Sequence, residues 1–404
     1  MLSVDDALSR ITGALAALPA ETIDLADAAG RVLAEDIVSQ HTQPPVAMSS
    51  MDGYAVRAQD AGAPPVTLEV IGEAPAGGAF EGTVGPGQAV RIFTGGPMPG
   101  GANAVIMQED TDRDGSAVTI KETAYEGKFT RAAGLDFNLG DPGPRAGSLL
   151  TPRVIALVAA MNVPQVSVRR RPKVALLANG DELVRPGQAL GPTQIISSNS
   201  NALAALVEGN GGEAVDLGIA KDTLDSLREL AAKAEGADML ITLGGASVGD
   251  HDLVQEVLAE KGLDVNFWKI AMRPGKPLIF GKFGEIPMVG LPGNPVSALV
   301  CGLIFVVPAL RKMLGQDPGP ITRCNAVLDG PLPANGGREA YLRGDLKQRE
   351  DGTLIATPFN LQDSSVLSGF ADAGCLVVQP PNGAAMDAGG TVQVIPLPTL
   401  LTNI

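Results

Sequence analysis

Residues 171–318 alternate short apolar segments with helical segments, and this alternation constrains the fold more than any other feature of the sequence. Apolar strands separated by helices of about 10–15 residues are typical of βαβ units, in which the strands pair in parallel through right-handed crossovers. We therefore predict a doubly wound α/β domain over this range. The predicted strands are residues 173–178, 214–219, 238–243, 265–270, 278–281 and 288–290, and the predicted helices are residues 199–207, 222–235, 250–261 and 294–314.

The rest of the chain follows other patterns, and together they predict a multidomain α/β protein. Residues 41–136 contain short β-type runs separated by proline and glycine, which favours a β-rich inserted domain. Residues 1–40 and 137–170 each contain an apolar helical segment, so we expect them to form one discontinuous N-terminal linker domain. Residues 319–404 return to β runs divided by turns, which indicates a small C-terminal β domain of barrel-like form.

Composition excludes several kinds of chemistry. The chain has 30 Lys and Arg against 45 Asp and Glu, a net charge of −15, and only 3% aromatic residues, which argues against a nucleic-acid partner. The sequence has two histidines and three well-separated cysteines, so zinc, iron–sulfur and Cys–His sites are disfavoured. The chemistry is therefore expected from carboxylates, Lys, Arg, hydroxyls, backbone amides and a hard cation such as Mg²⁺.

The sequence also predicts a cytoplasmic protein without a membrane span. Asp5 and Asp6 occupy positions where a secretory signal would be basic. The longest apolar stretch, residues 296–310, is shorter than the roughly 20 residues that a spanning helix needs, and Pro308 interrupts it near its end. Scattered cysteines suit a reducing compartment.

Polar and glycine-rich segments follow most of the predicted strands. Ligands of parallel α/β sheets bind outside the carboxyl ends of the strands, so we expect these segments to converge on one crevice. The loop at residues 244–252 has glycines and leads into a helix N-terminus, which suits a phosphate, although a tight turn alone would explain the same pattern. The segments are residues 179–183, Asp222, and residues 244–252, 273–277 and 290–297.

Charged residues in these segments suggest both an oxyanion and a metal. Lys269, Arg273 and Lys276 are close in sequence, and their charges suit phosphate or a tetrahedral metal oxoanion. The nearby carboxylates indicate a bridging Mg²⁺, because without a cation they would repel the anion. Capping of a helix N-terminus is the alternative explanation for two of them, Asp222 and Asp250. The carboxylates are those of Glu182, Asp222, Asp250 and Asp252.

Two turn-rich segments in residues 41–136, SMDGYAV from Ser50 and RIFTGGPMP from Arg91, complete a recognisable set of motifs. Together with MQED, NGDEL, GGASVGDHD, FWKIAMRPGKP and GLPGNPVS, in that order, the sequence resembles the MoeA-type molybdopterin molybdenumtransferase family along almost its whole length. This family is related to the E domains of gephyrin and of its plant counterpart. The resemblance implies that the α/β domain binds molybdopterin.

The resemblance also implies the reaction. Molybdate would be inserted into the dithiolene of adenylylated molybdopterin with Mg²⁺-dependent loss of AMP, as the final step of molybdenum cofactor biosynthesis. The sulfur ligands belong to the substrate, which fits a chain that is poor in cysteine. Family members are homodimers, in which the inserted domain of one subunit faces the crevice of the other and the N-terminal domain supports dimerisation. An upstream adenylyltransferase and acceptor molybdoenzymes are further candidate partners.

Site residues carried over from the family by position fall into three groups. Arg273, Lys276 and Arg343 are expected to neutralise and orient molybdate, and Asp52 and Asp136 to orient the pterin or substrate. The catalytic group is Asp52, Thr94, Asp136, Lys269, Arg273 and Lys276. The substrate-binding group is Gly245, Ser247, Asp252, Pro292, Asn294, Ser297, Arg343 and Ser364. The metal group is Glu182, Asp222 and Asp252.

This sequence departs from the family at four positions. Many relatives have an Asp-Asn pair where this chain has Ala47 and Met48, and alanine where it has Ser50. Arg273 stands where lysine is common, which keeps the charge but changes its geometry.

Two alternative functions remain open from the sequence. The companion adenylyltransferase shares the GGxSVGxxD-type α/β domain, but it lacks the β-rich insert and the C-terminal domain. A non-catalytic scaffold of the gephyrin E type would need a peptide groove, and no apolar or aromatic groove is evident in the sequence.

Overall fold

The structure, a computed structural model, describes residues 1–244 and 263–397. Its helices are α1 (Val4–Gly13), α2 (Pro152–Ala160), α3 (Asn199–Gly209), α4 (Leu224–Ala232), α5 (Pro295–Cys301), α6 (Val307–Met313) and α7 (Ser368–Ala371). The first strands are β1 (Ala20–Asp24), β2 (Met48–Ser49), β3 (Gly53–Val56), β4 (Val66–Ala74), β5 (Gln88–Ile92), β6 (Ala104–Met107), β7 (Thr111–Asp114), β8 (Ala117–Ile120), β9 (Thr130–Arg131) and β10 (Gln165–Arg169). The α/β domain has β11 (Lys173–Asn179), β12 (Leu183–Val184), β13 (Ile195–Ile196), β14 (Glu213–Ala220), β15 (Met239–Leu243), β16 (Leu263–Lys269), β17 (Met272–Arg273), β18 (Pro277–Phe283) and β19 (Ile286–Leu291). The C-terminal strands are β20 (Cys324–Leu328), β21 (Glu339–Gln348), β22 (Leu354–Pro358), β23 (Cys375–Gln379) and β24 (Thr391–Pro396). The predicted helix at residues 250–261 lies outside the described residues.

The first helix forms as its sequence indicates, but it lies with the α/β domain. The hydroxyl of Ser3 accepts a hydrogen bond from the amide of Asp6 (3.1 Å) and caps the helix. The apolar stripe of Val4, Leu8 and Ile11 belongs to the same core as β11, β15 and α5. The predicted linker domain of residues 1–40 and 137–170 therefore includes β1, which pairs with β10. It does not include α1, which packs with the α/β domain.

The inserted segment contains a six-stranded sheet in the order β6-β3-β5-β4-β8-β7. A side chain at Gly53 would place its Cβ 1.9 Å from the carbonyl oxygen of Ile106, so only glycine lets β3 approach β6 this closely. This close approach fixes the start of β3, directly after the SMD turn.

The central sheet has the order β14-β11-β15-β19-β18-β16. The first four strands are parallel, as predicted. The prediction of an all-parallel sheet is wrong for the last two, because β18 pairs antiparallel with both β19 and β16. The reason is the connection: only Gly284 and Glu285 separate β18 from β19, and a two-residue loop can join only antiparallel strands. Gly284 has a φ of +58°, which suits such a hairpin.

The long apolar helix after β19 is a core element. A π-helical turn (Gly302–Val306) joins α5 to α6. By length and composition, Pro295–Met313 could cross a membrane. However, 78% of its most apolar 18-residue stretch is buried inside the protein. This burial explains the hydropathy as that of a core helix packed against the sheet.

The C-terminal strands close into a barrel. β21 pairs with β22 and with β23, and the ring continues through β20 and β24. The short strand β17 of the α/β domain adds to β21 in parallel, with Arg273 opposite Ala340. The predicted multidomain α/β class is therefore confirmed, and the barrel is joined directly to the segment that carries the predicted oxyanion cations.

Candidate functional site

The carboxyl ends of the parallel strands meet at one edge of the central sheet. β11, β15 and β19 end in register there, so the loops that follow them are neighbours. A Cβ on Gly244 would lie 2.7 Å from the carbonyl oxygen of Asn179, and a Cβ on Gly293 would lie 3.7 Å from the Cα of Gly244. At this edge Pro292 is buried, and Asn294 is exposed. Three segments that the sequence singled out are thus brought together.

The carboxylate of Asp222 binds the loop that follows β11. Its Oδ1 accepts a hydrogen bond from Asn179 Nδ2 (2.7 Å), and its Oδ2 accepts one from the amide of Asp181 (3.4 Å). The predicted capping role is wrong, because α4 starts at Leu224 and its cap is the hydroxyl of Thr223. Asp222 is exposed, and its carboxylate holds the loop that follows β11.

The oxygen donors at this edge suit Mg²⁺. Glu182 is exposed in the same loop, and Asn179 Oδ1 is buried without a hydrogen-bond partner among the described residues. No group of three potential ligands forms within residues 1–244 and 263–397. Because Mg²⁺ in phosphate-binding sites commonly uses one or two carboxylates together with substrate phosphates, Glu182 and Asp222 fit such an ion.

Three predicted cations are exposed near the same crevice. Lys269, Arg273 and Lys276 form no ion pair in the described part of the chain, and the Lys269 ammonium lies 5.3 Å from the ring centroid of Trp268. Between them, Gly275 is buried with a φ of +110°, and a Cβ there would lie 2.5 Å from Cys301 Sγ. A glycine is required at this position, and it allows the segment to turn tightly while its cations stay in solvent.

Arg343 differs sharply from these cations. It is 1% exposed, and its guanidinium donates hydrogen bonds to the carbonyl oxygens of Val366 (2.6 Å), Leu361 (2.9 Å) and Asp363 (2.9 Å). Burial lowers the pKa of Arg343. With almost no exposed surface and three hydrogen bonds to carbonyl oxygens, this guanidinium is poorly placed to contact an anion, so the structure does not support the predicted direct contact with molybdate. Arg343 holds the loop at residues 361–366 instead.

The loop held by Arg343 reaches the α/β domain. Asn294 Nδ2 donates a hydrogen bond to Ser364 Oγ (2.8 Å), and the amide of Val296 donates to the carbonyl oxygen of Ser364 (3.1 Å). Ser297, in the first turn of α5, is 4% exposed. The structure thus places Ser364 beside the GLPGNPVS segment. Arg343 holds the loop that carries Ser364 through its bonds to the backbone carbonyl oxygens on either side of this residue.

In the inserted domain the two turn-rich motifs meet. Asp52 Oδ1 accepts hydrogen bonds from the amide (2.7 Å) and the hydroxyl (2.8 Å) of Thr94. These two bonds, with the nearby charge of Arg91, lower the pKa of the Asp52 carboxyl. Asp52 therefore presents an ionised carboxylate on the protein surface, fixed by Thr94.

Asp136 is not part of this contact. It is exposed, and its amide donates to the carbonyl oxygen of Gln43 at the base of the insert. No described side-chain contact joins it to Asp52 or Thr94.

Two residues that sequence reasoning missed hold this turn in place. Arg91 donates hydrogen bonds to the carbonyl oxygen of Gly53 and to the side chain of Gln108, so it joins the SMDGYAV, RIFTGG and MQED motifs. Ser50 donates from both its amide (2.9 Å) and its hydroxyl (3.0 Å) to the carbonyl oxygen of Phe129. Arg91 could have been singled out from the sequence, because it is the first residue of the RIFTGGPMP motif. Nothing in the sequence indicates the Ser50 contact.

Fold and site together define a multidomain α/β protein with exposed cations and carboxylates beside the carboxyl ends of its parallel strands. Three predicted site residues, Gly245, Ser247 and Asp252, lie outside the described residues, as does Asp250.

Comparisons with known proteins identify the family. Residues 2–162 match the MoeA N-terminal region (domain I and II), residues 175–312 the "Probable molybdopterin binding domain", and residues 325–397 the MoeA C-terminal region (domain IV). The molybdopterin molybdenumtransferase of Nostoc sp. is 40% identical over 94% of this chain and 89% of that protein. That of Haemophilus influenzae is 37% identical over 99% and 100%. A crystal structure of a molybdopterin biosynthesis MoeA protein from Pyrococcus horikosii has a TM-score of 0.83 at 34% identity, and covers 99% of this chain and 100% of that chain.

The chain belongs to the MoeA-type molybdopterin molybdenumtransferase family, and the resemblance inferred from its motifs is confirmed.

Proposed function

We propose that this protein inserts molybdenum from molybdate into adenylylated molybdopterin and releases AMP. One observation carries the proposal beyond family membership: Lys269, Arg273 and Lys276 are exposed and unpaired, in the part of the chain that the structure describes, beside the crevice where an α/β domain binds its ligand. Such cations suit two anionic substrates, molybdate and the phosphates of the nucleotide.

The chain's own residues would act by positioning and by charge. Arg273 and Lys276 would neutralise and orient molybdate, which favours its approach to the substrate thiolates. Glu182 and Asp222 would hold Mg²⁺, which when bound stabilises negative charge on the pyrophosphate. Arg343 would act only indirectly, by fixing Ser364.

The inserted domain would complete the site in a homodimer. Asp52 and Thr94 form an exposed polar turn, and no described contact joins them to the crevice of their own subunit. We propose that a second copy of the chain places this turn at the crevice. A cytoplasmic location, an upstream adenylyltransferase and acceptor molybdoenzymes as partners belong to the same proposal.

The test is AMP release by the purified full chain. Adenylylated molybdopterin and Mg²⁺ are supplied with and without molybdate, and AMP is measured over time. Release that depends on both molybdate and Mg²⁺ supports the proposal. Equal release without molybdate contradicts it. Formation of the adenylylated compound from ATP and molybdopterin would favour the adenylyltransferase alternative, and no turnover in either assay would favour a scaffold.

A further inference from the structure

A buried lysine lies in the inserted domain, outside every motif that the sequence singled out. Of the cations that the structure describes, only Lys128 and Arg343 are buried, and Lys128 is 4% exposed. Its ammonium donates a hydrogen bond to the carbonyl oxygen of Thr123 (2.8 Å) and forms an ion pair with Glu122 (2.8 Å). Lys128 therefore binds the two ends of a short segment to each other. We call residues 122–131 the strap.

Stability alone does not account for a charge at this position. Taking an ammonium out of water costs free energy, and an apolar side chain of similar volume in its place is often neutral or stabilising. The side chain of Glu122 is 49% exposed, so its attraction is screened by solvent and offsets only part of that cost. The directional contacts of Lys128, which fix the backbone of the strap, are the property that an apolar residue would not supply.

The strap contains a strained residue. Phe129 has a φ of +51°, in the left-handed region that bulky side chains rarely adopt. Such conformations persist where the surrounding structure over-determines them, and they cluster at functional sites. Lys128 supplies part of that constraint. Its ammonium lies 5.6 Å from the ring centroid of Phe129, its amide donates to the carbonyl oxygen of Tyr125 (3.1 Å), and its carbonyl oxygen accepts the amide of Val105 (2.9 Å).

The strained residue directs its carbonyl group at the SMDGYAV turn. The carbonyl oxygen of Phe129 accepts hydrogen bonds from both the amide (2.9 Å) and the hydroxyl (3.0 Å) of Ser50. The end of the strap is β9, which pairs antiparallel with β2 and places Thr130 opposite Ser49. The strap is thus bonded to the residues that lead into Asp52.

Ser49 extends this contact to the second motif. It is fully buried, its amide donates to the carbonyl oxygen of Gly96 (2.9 Å), and its carbonyl oxygen accepts the amide of Gly95 (2.9 Å). Gly95 directly follows Thr94, whose amide and hydroxyl donate to Asp52. The strap and both turn-rich motifs are therefore connected by one continuous set of hydrogen bonds.

We propose that Lys128 is a positioning residue: it fixes the strap and, through Phe129 and Ser50, the orientation of the Asp52 carboxylate. The inference rests on the proposed function, in which Asp52 acts at the crevice of a second copy of the chain. Lys128 itself touches no substrate, because its ammonium is buried against the strap. A carboxylate presented to another subunit is held only from its own side, and the strap provides that support.

The first test measures Asp52 in the full chain. Lys128→Met removes the charge and keeps an unbranched side chain, so the bonds from Thr94 should lose alignment and the pKa of Asp52 should rise towards its ordinary value. Thr94 and Arg91 act on the Asp52 carboxyl directly, and Lys128 is not among the groups that do. A rise therefore reports on the turn. Carbon NMR of the carboxylates measures it.

Lys121→Met is the matched control. It makes the same change in net charge in the same domain, and it removes an exposed ion pair with Asp112. The pKa of Asp52 should stay unchanged in this variant. Equal shifts in Lys128→Met and Lys121→Met would overturn the proposal, because they would reduce the role of Lys128 to its charge.

The second test asks whether Lys128 acts through Asp52. Misplacement of a group that orients substrate slows turnover, so Lys128→Met should lower the rate of molybdate-dependent AMP release about tenfold. The double variant Lys128→Met with Asp52→Asn should then be no slower than Asp52→Asn alone, because residues that act as one unit are not additive. A further tenfold loss in the double variant would overturn the proposal.

Ser50→Ala keeps the proposal testable if Lys128→Met does not fold. It removes the hydroxyl bond to Phe129 and leaves the amide bond, so the pKa of Asp52 should rise by less than in Lys128→Met. An unchanged pKa of Asp52 in Ser50→Ala would overturn the proposal.

The two hypotheses fail in different ways. A native chain without molybdate-dependent AMP release would refute the proposed function, while the Asp52 titrations would still show whether the strap fixes the carboxylate. Normal AMP release together with an unshifted Asp52 in Lys128→Met would refute only the role of Lys128.

Discussion

Two arginines in neighbouring strands have opposite environments. β17 pairs with β21, and Arg273 lies opposite Ala340, three positions before Arg343 along the chain. Arg273 is exposed and has no ion pair in the described residues, whereas Arg343 is 1% exposed and donates to three backbone carbonyl oxygens. The motif resemblance assigned both to molybdate. Burial and the three occupied donors favour a ligand role for Arg273 and a role for Arg343 in holding the loop that carries Ser364.

The largest effect is expected from Arg343→Ala. Three carbonyl oxygens would lose a charged donor in a buried site, and the free energy of unfolding should fall by about 3–5 kcal/mol. Denaturation followed by hydrogen exchange of residues 361–366 measures it. Arg349→Ala, an exposed arginine just beyond the same strand, should change stability by less than about 0.5 kcal/mol. Unchanged stability of Arg343→Ala would remove the distinction between the two arginines.

Lys276→Gln should show the reverse pattern. The side chain is exposed, so stability should stay within about 0.5 kcal/mol, while loss of a charge that stabilises the transition state should slow molybdate-dependent AMP release about 100-fold. Lys282→Gln, on β18, removes an equally exposed lysine as the control. Similar rates for the two variants would show that the position of the lysine charge in this region does not matter.

Asn294→Ala tests the link between the two regions. Loss of its hydrogen bond to Ser364 should cost about 1 kcal/mol and increase hydrogen exchange in residues 361–366, with Arg343 still in place. Asn103→Ala removes a comparable bond, to the amide of Ala58 in the inserted domain, and should leave that loop unchanged. Unaltered exchange in Asn294→Ala would show that the Asn294 side chain is not needed to position Ser364.

The smallest effect is a shift in the titration of Asp52. Thr94→Ala removes the hydroxyl donor and keeps the amide donor, so the pKa of Asp52 should rise part of the way to its usual value. Because the folded-state pKa is depressed, the stabilisation is present above the ordinary carboxyl pKa and is lost as the pH falls through the Asp52 pKa. Carbon NMR of the carboxylates measures the shift. The Asp351 carboxyl, whose pKa is lowered by the amide and hydroxyl of Thr353, is the internal reference and should not move.

The sequence predicts those features that depend on local pattern. The strands β11, β14, β15 and β19, the cap of α1 and the membership of Asp52 and Thr94 in one site all follow from periodicity or from motif resemblance. The antiparallel β18–β19 hairpin is missed because the strand pattern alone does not distinguish a Gly-Glu turn from part of a parallel connection. The capping role of Asp222 fails and the direct molybdate contact of Arg343 is unsupported because burial and partners depend on distant segments, here Asn179 and residues 361–366.

The position of bound molybdate tests the division between the two arginines most directly. Crystals of the protein soaked with molybdate can be measured at the molybdenum absorption edge, and the anomalous peak locates the oxoanion. The account predicts a peak within hydrogen-bonding distance of Arg273 or Lys276, with all three carbonyl contacts of Arg343 retained. A peak against the Arg343 guanidinium, with those contacts broken, would contradict it.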